Sequence, residues 1–288
     1  MEHVGIYGLG AIGSLVTKYL NSNTKNKYYY FNRSEKNEIK ISFKDEMSSI
    51  QVELSSAENQ NLDWLIICLK EYHIKSTLPN ISKLINDKTK VAIFQNGINL
   101  SSPYLRLTKR ANILETIIDC SVQSNGPSQY LQLRKPVVTL RDNPLAKEFI
   151  KLFKNKEIEF NKTFNFLEEQ WVKLIESSSI GAIQSYTGQT CVIFKQEKYI
   201  EEYKALVNEG IQVASSEGVL VNPFLTEQLL AKLKAYPDSK GSSMLEDKLA
   251  GRELELDAKI GAIVSIAKKN SVDIPNTKRL YKILAVTD

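Results

Sequence analysis

Three glycines near the start of the chain form the pattern with the clearest chemical meaning. Gly8, Gly10 and Gly13 follow the apolar run 4–7 and precede a helical run that starts at Ser14. In such a pattern the first glycine permits a tight turn, the second lets a phosphate approach the backbone, and the third lets helix and strand pack closely. The helix N-terminus adds N–H donors and partial positive charge. The spacing predicts a dinucleotide pyrophosphate site, formed by Gly8, Leu9, Gly10, Ala11, Ile12 and Gly13.

The end of the second predicted strand indicates which dinucleotide binds. Sites for NAD usually place a carboxylate about 20 residues after the glycines, where it holds ribose hydroxyls. Here the strand ends in Asn32-Arg33-Ser34. A guanidinium at Arg33 can pair with a 2′-phosphate, and Ser34 can donate a hydrogen bond to it. NADP(H) is therefore the predicted cofactor. The alternative is a solvated Arg33 with Glu35 as a displaced ribose ligand.

The elements that must position these residues alternate between strands and helices in the first half of the chain, which is typical of a parallel sheet covered by helices. Strands are predicted at 4–7, 28–32, 64–69, 91–94 and 113–120. A hairpin is predicted at 39–43 and 50–54. Strands within 130–140 are expected to close the sheet, followed by a helix at 144–155 and an edge strand at 158–161.

After Phe164 the pattern changes to sustained helical periodicity. Helices are predicted at 167–186, 197–217, 223–235, 243–270 and 276–284. The sequence therefore predicts a Rossmann-type α/β dinucleotide-binding domain over residues 1–164, followed by an all-α domain over residues 165–288.

Composition excludes several classes of protein. Hydrophobic residues make up 42% of the chain and charged residues 25%, which is ordinary for a folded globular protein. The net charge of +5 comes from 38 basic and 33 acidic residues mixed along the chain, so no nucleic-acid-binding stripe is expected. We expect neither a membrane-spanning segment nor a signal peptide, and predict a cytoplasmic protein.

The cysteines and histidines are expected to be structural. Cys68, Cys120 and Cys191 are odd in number and lack metal-ligand spacing, which suits core thiols in a reducing compartment. The only histidines are His3 and His73. No metal site is predicted.

Two further strand ends, read together with the glycine turn, resemble the ketopantoate reductase family, whose members reduce 2-dehydropantoate to pantoate. Lys70 follows the strand that ends Ile-Cys-Leu, and Asn96 lies in Gln-Asn-Gly after the next strand. Such strand ends face the ligand crevice in a doubly wound sheet. The resemblance implies that Asn32, Lys70 and Asn96 contact the cofactor, with Asn96 also near the substrate.

The second half of the chain carries further motifs of this family. Trp171-Val172-Lys173-Leu174 resembles the helix with the family's catalytic lysine, and Ser242-Ser243-Met244 with Asp247 and Glu255 resembles its Ser-Ser-Met-x-x-Asp segment and late glutamate. The resemblance implies a helical domain like the C-terminal domain of 6-phosphogluconate dehydrogenase. It also implies catalytic roles for Lys173 and Glu255, cofactor contact by Glu255, and substrate contacts by Lys173, Ser177, Ser243 and Asp247.

Helical geometry is compatible with these roles without requiring them. Lys173, Ser177 and Gly181 share one stripe of a helix, and the small side chains leave room for a ligand or for a closely packed helix. A lysine in an apolar turn is otherwise usually a surface residue whose stem lies along the apolar surface. In the predicted helix 243–270, Ser243, Asp247 and Glu255 fall in one polar sector, as in any amphipathic helix.

The resemblance implies NADPH-dependent reduction of 2-dehydropantoate, with Lys173 stabilising and protonating the carbonyl oxygen. The family commonly carries asparagines that bind substrate hydroxyls at the positions of Ser177 and Gly181, so two alternatives stay open. One is reduction of another small 2-oxo acid, and the other is a non-catalytic NADP(H) sensor. A homodimer is possible by analogy.

Overall fold

A computed structural model of the protein describes residues 1–57, 60–155 and 157–287. The chain divides into two compact units. Unit 1 comprises Met1–Gln95 and Asn99–Phe166, and unit 2 comprises Asn96–Ile98 and Leu167–Asp288. The short segment Asn96–Ile98 follows a strand of unit 1 in sequence but packs with unit 2, which the sequence did not suggest.

Unit 1 is built around a seven-stranded, mainly parallel sheet. Its strands, in chain order and leaving out the second sheet described below, are β1 (His3–Tyr7), β2 (Lys27–Phe31), β5 (Trp64–Ile67), β6 (Lys90–Ile93), β7 (Ile113–Asp119), β10 (Val137–Arg141) and β11 (Glu159–Thr163). The spatial order is β11-β10-β7-β6-β5-β1-β2. β10 is antiparallel to β7, and all other pairs are parallel. The order places the ends of β1, β2, β5 and β6 side by side, and β11 is the predicted edge strand.

Apolar side chains on both faces hold this sheet in the interior of unit 1. The central strands β1, β5 and β6 are almost entirely buried, as expected for parallel strands covered on both faces. On one face Val4, Ile6 and Ile66 pack with α1 (Ala11–Leu20) and α3 (Pro144–Ile150). On the other, Leu65 and Ile67 pack with the segment that includes α2 (Ile74–Ser82).

A second, four-stranded sheet lies within unit 1 and corrects two predictions. Its strands are β3 (Glu38–Phe43), β4 (Glu46–Gln51), β8 (Val122–Ser124) and β9 (Gln129–Gln132), in the order β4-β3-β9-β8. The prediction that all strands of 130–140 close the main sheet was wrong, because β9 pairs with β3. The second hairpin strand begins earlier than the predicted 50–54. Phe43 pairs with Glu46 across a two-residue turn, where Lys44 adopts φ 55°.

The described part of unit 2 that follows Phe166 is helical, as predicted. The helices are α4 (Phe166–Thr187), α5 (Glu197–Ser216), α6 (Leu225–Lys234), α7 (Ser243–Leu249), α8 (Ile260–Lys269) and α9 (Pro275–Thr287). They enclose one apolar cluster, which includes Trp171, Ile175, Tyr203 and Leu280. Gly210 of α5 allows a close approach to α4, since a Cβ there would lie 2.9 Å from Ile175 Cγ1.

The predicted single helix over 243–270 was wrong. α7 ends at Leu249, and Gly251 adopts the left-handed φ of 62° that glycine tolerates best. Its N–H donates to the Lys248 carbonyl, and the Arg252 N–H donates to the Asp247 carbonyl. This is the Schellman arrangement that ends helices. Glu255 consequently lies in the connection between α7 and α8, and the shared helical sector proposed for Ser243, Asp247 and Glu255 does not exist.

Candidate active site

The glycine turn has the geometry that its spacing predicts. Gly8 has φ 94°, and a Cβ on Gly13 would lie 1.8 Å from the Gly8 carbonyl oxygen, so Gly13 must remain a glycine for the turn to close. A Cβ on Gly10 would meet no protein atom within 4 Å. Gly10 therefore borders open space at the start of α1, where helix N–H groups lack intrahelical acceptors. This open space fits an approaching phosphate group.

The backbone N–H and the carbonyl oxygen of Leu9, inside the turn, are both hydrogen-bonded to side chains. Its N–H donates to Asn32 Oδ1 at 3.0 Å. Its carbonyl oxygen accepts from Lys36 Nζ at 2.6 Å and from the Tyr130 hydroxyl at 3.1 Å. The same ammonium lies 2.9 Å from the Tyr130 hydroxyl oxygen. The tip of β2 and strand β9 of the second sheet thus fix the turn, and Lys36 places a positive charge beside it.

The residues proposed to select the cofactor follow β2. Asn32 Nδ2 donates to the carbonyl and hydroxyl oxygens of Ser34, at 2.9 and 3.1 Å. Both ends of the Asn32 carboxamide are therefore hydrogen-bonded, one to the glycine turn and the other to Ser34. Arg33 and Ser34 are exposed at the tip, so the guanidinium is accessible to a ligand. The 2′-phosphate contact of Arg33 stays a prediction.

The ends of β5 and β6 are tied together. Gln95 Nε2 donates to the Leu69 carbonyl oxygen at 2.8 Å, which fixes the backbone next to Lys70. Lys70 is half-buried, with Nζ 5.7 Å from the centre of the Tyr72 ring. This places Lys70 at the carboxyl end of the central strands, where its cofactor contact was proposed.

Two of the proposed site residues come together in unit 2 although they are far apart in sequence. Asn96 Nδ2 donates to Glu255 Oε2 at 3.0 Å. Glu255 is buried, with only 6% of its surface exposed. A buried carboxylate needs hydrogen-bond donors, and Asn96 supplies one. The pair gives Glu255 a defined orientation.

Helix α4 carries Lys173 on a stripe that leads to the Ser-Ser-Met segment. A Cβ on Gly181 would lie 2.8 Å from Met244 Sδ, so the Met244 side chain packs closely against this position. One turn further, Gln184 Oε1 accepts from the Ser242 N–H at 2.7 Å. Lys173 and Ser177, both half-buried, lie on the same stripe toward the N-terminus of α4.

Ser242 and Ser243 have different roles. The Ser242 hydroxyl caps α7 by accepting from the Leu245 N–H at 3.2 Å. The exposed Ser243 accepts from Lys259 Nζ at 2.9 Å. Lys259 is only 2% exposed. The segment therefore presents one hydroxyl, at Ser243, together with a lysine side chain that reaches it from the interior.

Asp247 has a contact that accounts for its burial without a substrate. It is 5% exposed, and its Oδ1 accepts from Arg252 Nε at 2.8 Å. This ion pair links the two sides of the Schellman turn that ends α7. The substrate contact predicted for Asp247 stays a prediction.

Sequence reasoning did not identify Lys36, Gln184 or Lys259. Gln184 lies eleven residues after Lys173 on the same helical stripe and ends the apolar stretch 180–183, so its polarity was a usable signal. Lys259 had no distinctive signal, because it is the last of three charged residues, with Glu255 and Asp257, that alternate with apolar ones. Lys36 had no local signal, because its partner Tyr130 is 94 residues away.

Two of the three cysteines are buried close to the candidate site residues. Burial raises the pKa of the Cys68 thiol, which packs beneath the glycine turn, and burial also raises that of Cys191. Both are therefore poor nucleophiles at neutral pH.

Among the described residues, no group of three or more His, Cys, Asp or Glu side chains is arranged to hold a metal ion. No helix of the described residues is long and apolar enough to cross a bilayer.

Comparison with known proteins identifies the same family over both units. The model of "Ketopantoate reductase PanE/ApbA" matches residues 4–144, and the model of its C-terminal part matches residues 165–287. A 2-dehydropantoate 2-reductase from Caulobacter vibrioides is 26% identical over 77% of each chain. A dimeric ketopantoate reductase from Staphylococcus aureus has a similar structure, with TM-score 0.87 and 23% identity over 99% of this chain and 98% of that one. D-mandelate dehydrogenase, solved with NADH and anilino(oxo)acetate, gives TM-score 0.89 at 19% identity over 99% and 97%. The two family models together cover most of the sequence, and the chain belongs to the ketopantoate reductase family of oxidoreductases.

Proposed function

We propose that the protein catalyses NADPH-dependent reduction of a small 2-oxo acid, and that 2-dehydropantoate is its substrate, which would place it in pantothenate and coenzyme A synthesis. The observation that carries the catalytic part is the stripe of α4. Gly181 and Gln184, which follow Lys173 on this stripe by eight and eleven residues, contact the segment that bears Ser243. Lys173 and Ser243 would bind the carbonyl oxygen and the carboxylate of one 2-oxo acid, whose carbonyl and carboxyl carbons are bonded to each other.

Unit 1 is suited to bind the cofactor. The open space over Gly10 would take the pyrophosphate, and Leu9, Ala11, Ile12 and Gly13 would supply backbone contacts. Lys70 would contact the ribose next to the nicotinamide. Bound NADPH supplies the hydride that the carbonyl carbon accepts.

The β2 tip supports a preference for NADPH over NADH. No carboxylate stands at position 33, and the exposed Arg33 with Ser34 would bind a 2′-phosphate. Asn32 would act indirectly, because both ends of its carboxamide are engaged in fixing the tip and the turn. NADH is the cofactor in the D-mandelate dehydrogenase structure, so cofactor choice varies among proteins with this fold.

Unit 2 would supply the groups that act on the substrate. As hydride reaches the carbonyl carbon, negative charge develops on the carbonyl oxygen, and the Lys173 ammonium would stabilise this charge and donate the proton. Glu255, oriented by Asn96, would contact the cofactor and orient the ammonium or accept a hydrogen bond from the product hydroxyl. Ser243 would donate to the substrate carboxylate.

A second candidate, reduction of another small 2-oxo acid, is favoured by Ser177 and Gly181. Gly181 has no side chain that could bind a substrate hydroxyl, and Met244 packs against it. Turnover of NADPH with 2-dehydropantoate and with 2-oxoisovalerate, which lacks that hydroxyl, separates the two candidates. We expect reduction of both, with only weak discrimination in favour of 2-dehydropantoate, and a higher kcat/KM for 2-oxoisovalerate would favour the second candidate. No oxidation of NADPH with any 2-oxo acid would refute the proposal and leave a cofactor-binding sensor.

The cofactor assignment has its own test. Arg33→Asp should reverse the preference for NADPH by weakening 2′-phosphate binding and restoring a ribose-binding carboxylate. Catalytic efficiencies with NADPH and NADH are compared in both proteins, with Lys44→Met as a control that removes an exposed cation from the hairpin turn. An unchanged preference in Arg33→Asp would contradict the assignment.

We also propose a homodimer and a cytoplasmic location. The dimer is suggested by the dimeric Staphylococcus aureus relative. Sedimentation equilibrium of the purified protein measures the assembly directly, and a monomer at micromolar concentration would contradict it.

A further inference from the structure

We propose that Lys259 determines specificity for a carboxylate substrate by acting together with Ser243. This inference rests on the proposed reduction of a 2-oxo acid and assigns the positive charge that binds the acid group. The two residues form a contact within unit 2, with Lys259 Nζ 2.9 Å from Ser243 Oγ.

The position of Lys259 is unfavourable for a lysine in two respects. It is 2% exposed between the buried residues Ala258 and Ile260, and removing an ammonium group from water is costly. It is also the residue that precedes α8, where the positive end of the helix dipole opposes a cation. Lys259 nevertheless brings a positive charge into hydrogen-bond contact with Ser243, and we assign this charge a function in binding the acid group.

The contact determines how Ser243 can be used. An ammonium group only donates hydrogen bonds, so the Ser243 oxygen accepts from Lys259. The hydroxyl proton of Ser243 can then be donated to another acceptor. Ser243 is exposed, so that acceptor can be a ligand. A carboxylate oxygen that accepts from Ser243 would lie about 4.5 to 5 Å from the ammonium nitrogen, given hydrogen bonds of ordinary length.

The surrounding contacts hold this pair in a fixed place. Ser242, next to Ser243, caps α7 and is bound through its N–H by Gln184 of α4. Gln184 lies on the Lys173 stripe. The helix that begins at Ser243 and the helix that bears the proposed proton donor are thus hydrogen-bonded to each other.

The test compares a 2-oxo acid with a neutral analogue. Lys259→Met keeps the length and apolar stem of the side chain and removes the charge. Steady-state kinetics with NADPH are measured for 2-oxoisovalerate and for its methyl ester, in the native protein, in Lys259→Met and in the control Lys268→Met, an exposed lysine of α8. Loss of the charge–charge attraction across the Ser243 hydroxyl should lower kcat/KM for the acid about ten- to a hundredfold, mainly through KM. The ester and the NADPH affinity should change less than about threefold.

Equal effects on acid and ester, or no effect on the acid, would overturn the assignment, because a purely structural lysine would not change the selectivity for charge. If Lys259→Met does not fold, Lys259→Gln gives the same reading, since it keeps a hydrogen-bond donor at this position and removes the charge. A native protein that reduces neither compound would refute the proposed function itself. Native turnover with an unchanged acid-to-ester ratio in both variants would refute only the role of Lys259.

Discussion

Gly10 and Gly13 differ in what surrounds them. We therefore predict that alanine at Gly13 lowers the stability of the protein, whereas alanine at Gly10 weakens only cofactor binding. A Cβ on Gly13 would lie 1.8 Å from the Gly8 carbonyl oxygen, whereas real Cβ atoms essentially never come within 3.0 Å of another atom. The turn in Gly13→Ala must therefore open by at least 1.2 Å, the difference between 3.0 and 1.8 Å. Such overpacking costs about 1–3 kcal/mol of unfolding free energy or more.

Gly10→Ala should behave differently. No protein atom lies within 4 Å of the added methyl group, and Gly10 has φ −72°, which alanine adopts readily. We expect its unfolding free energy to stay within about 1 kcal/mol of the native value. The methyl group occupies the space proposed for the pyrophosphate, so at least one backbone contact to a charged group is lost. That loss is worth ~1.5–3 kcal/mol, which weakens NADPH binding roughly 10- to 150-fold.

Urea unfolding and NADPH titration followed by fluorescence measure the two quantities in the same pair of variants. Gly13→Ala should be impaired in both, and Gly10→Ala in binding alone. Native NADPH affinity in Gly10→Ala would refute the placement of the pyrophosphate over this turn. Native stability in Gly13→Ala would refute the packing argument.

Further predictions concern the helical unit and the thiols. Lys173→Met should lower turnover at least ~10²-fold while NADPH affinity stays near native, as expected for loss of a positioned acid; near-native turnover would remove Lys173 from the mechanism. Ser177→Asn should lower the KM for 2-dehydropantoate by roughly two- to tenfold through one new hydrogen bond, and an unchanged KM would show that this residue does not face the substrate. Gly181→Asn should destabilise the protein by about 1–3 kcal/mol in urea unfolding, since its Cβ would lie 2.8 Å from a methionine sulfur. Iodoacetamide at pH 8 should label half-buried Cys120 before Cys68 in mass spectra, because the raised pKa of Cys68 keeps it protonated at that pH. Equal labelling rates would contradict this.

The parts of the fold that the sequence predicts well depend on local periodicity. The strands around Ile6, Ile66 and Ala92 and the helix of Lys173 are set by which residues are apolar, and apolar spacing is visible without a structure. The failures have long-range or backbone causes. Tyr130 lies in a second sheet because β9 pairs with β3, which is far away in sequence.

The residues of the candidate site likewise include some that local sequence predicts and others that it does not. Gly8, Gly10 and Gly13 are predictable because each position has a separate backbone requirement within six residues. The amphipathic pattern around Asp247 was misleading, because it continues on both sides of the break at Gly251 and suggested one helix. The pairing of Asn96 with Glu255 spans 159 residues, and no local pattern encodes such a contact.

The path of the chain through Asn96–Ile98 has a consequence for cutting or recombining the protein. Because this segment belongs to unit 2, the backbone passes from one unit to the other three times, at 95–96, 98–99 and 166–167. A fragment that ends near residue 166 would carry Ile98 away from the apolar cluster it packs against. The complementary fragment would lack Asn96 and leave the Glu255 carboxylate without that donor. Chimeras with relatives should therefore exchange residues 96–98 together with the helices, since a single crossover at 166–167 separates Asn96 from Glu255.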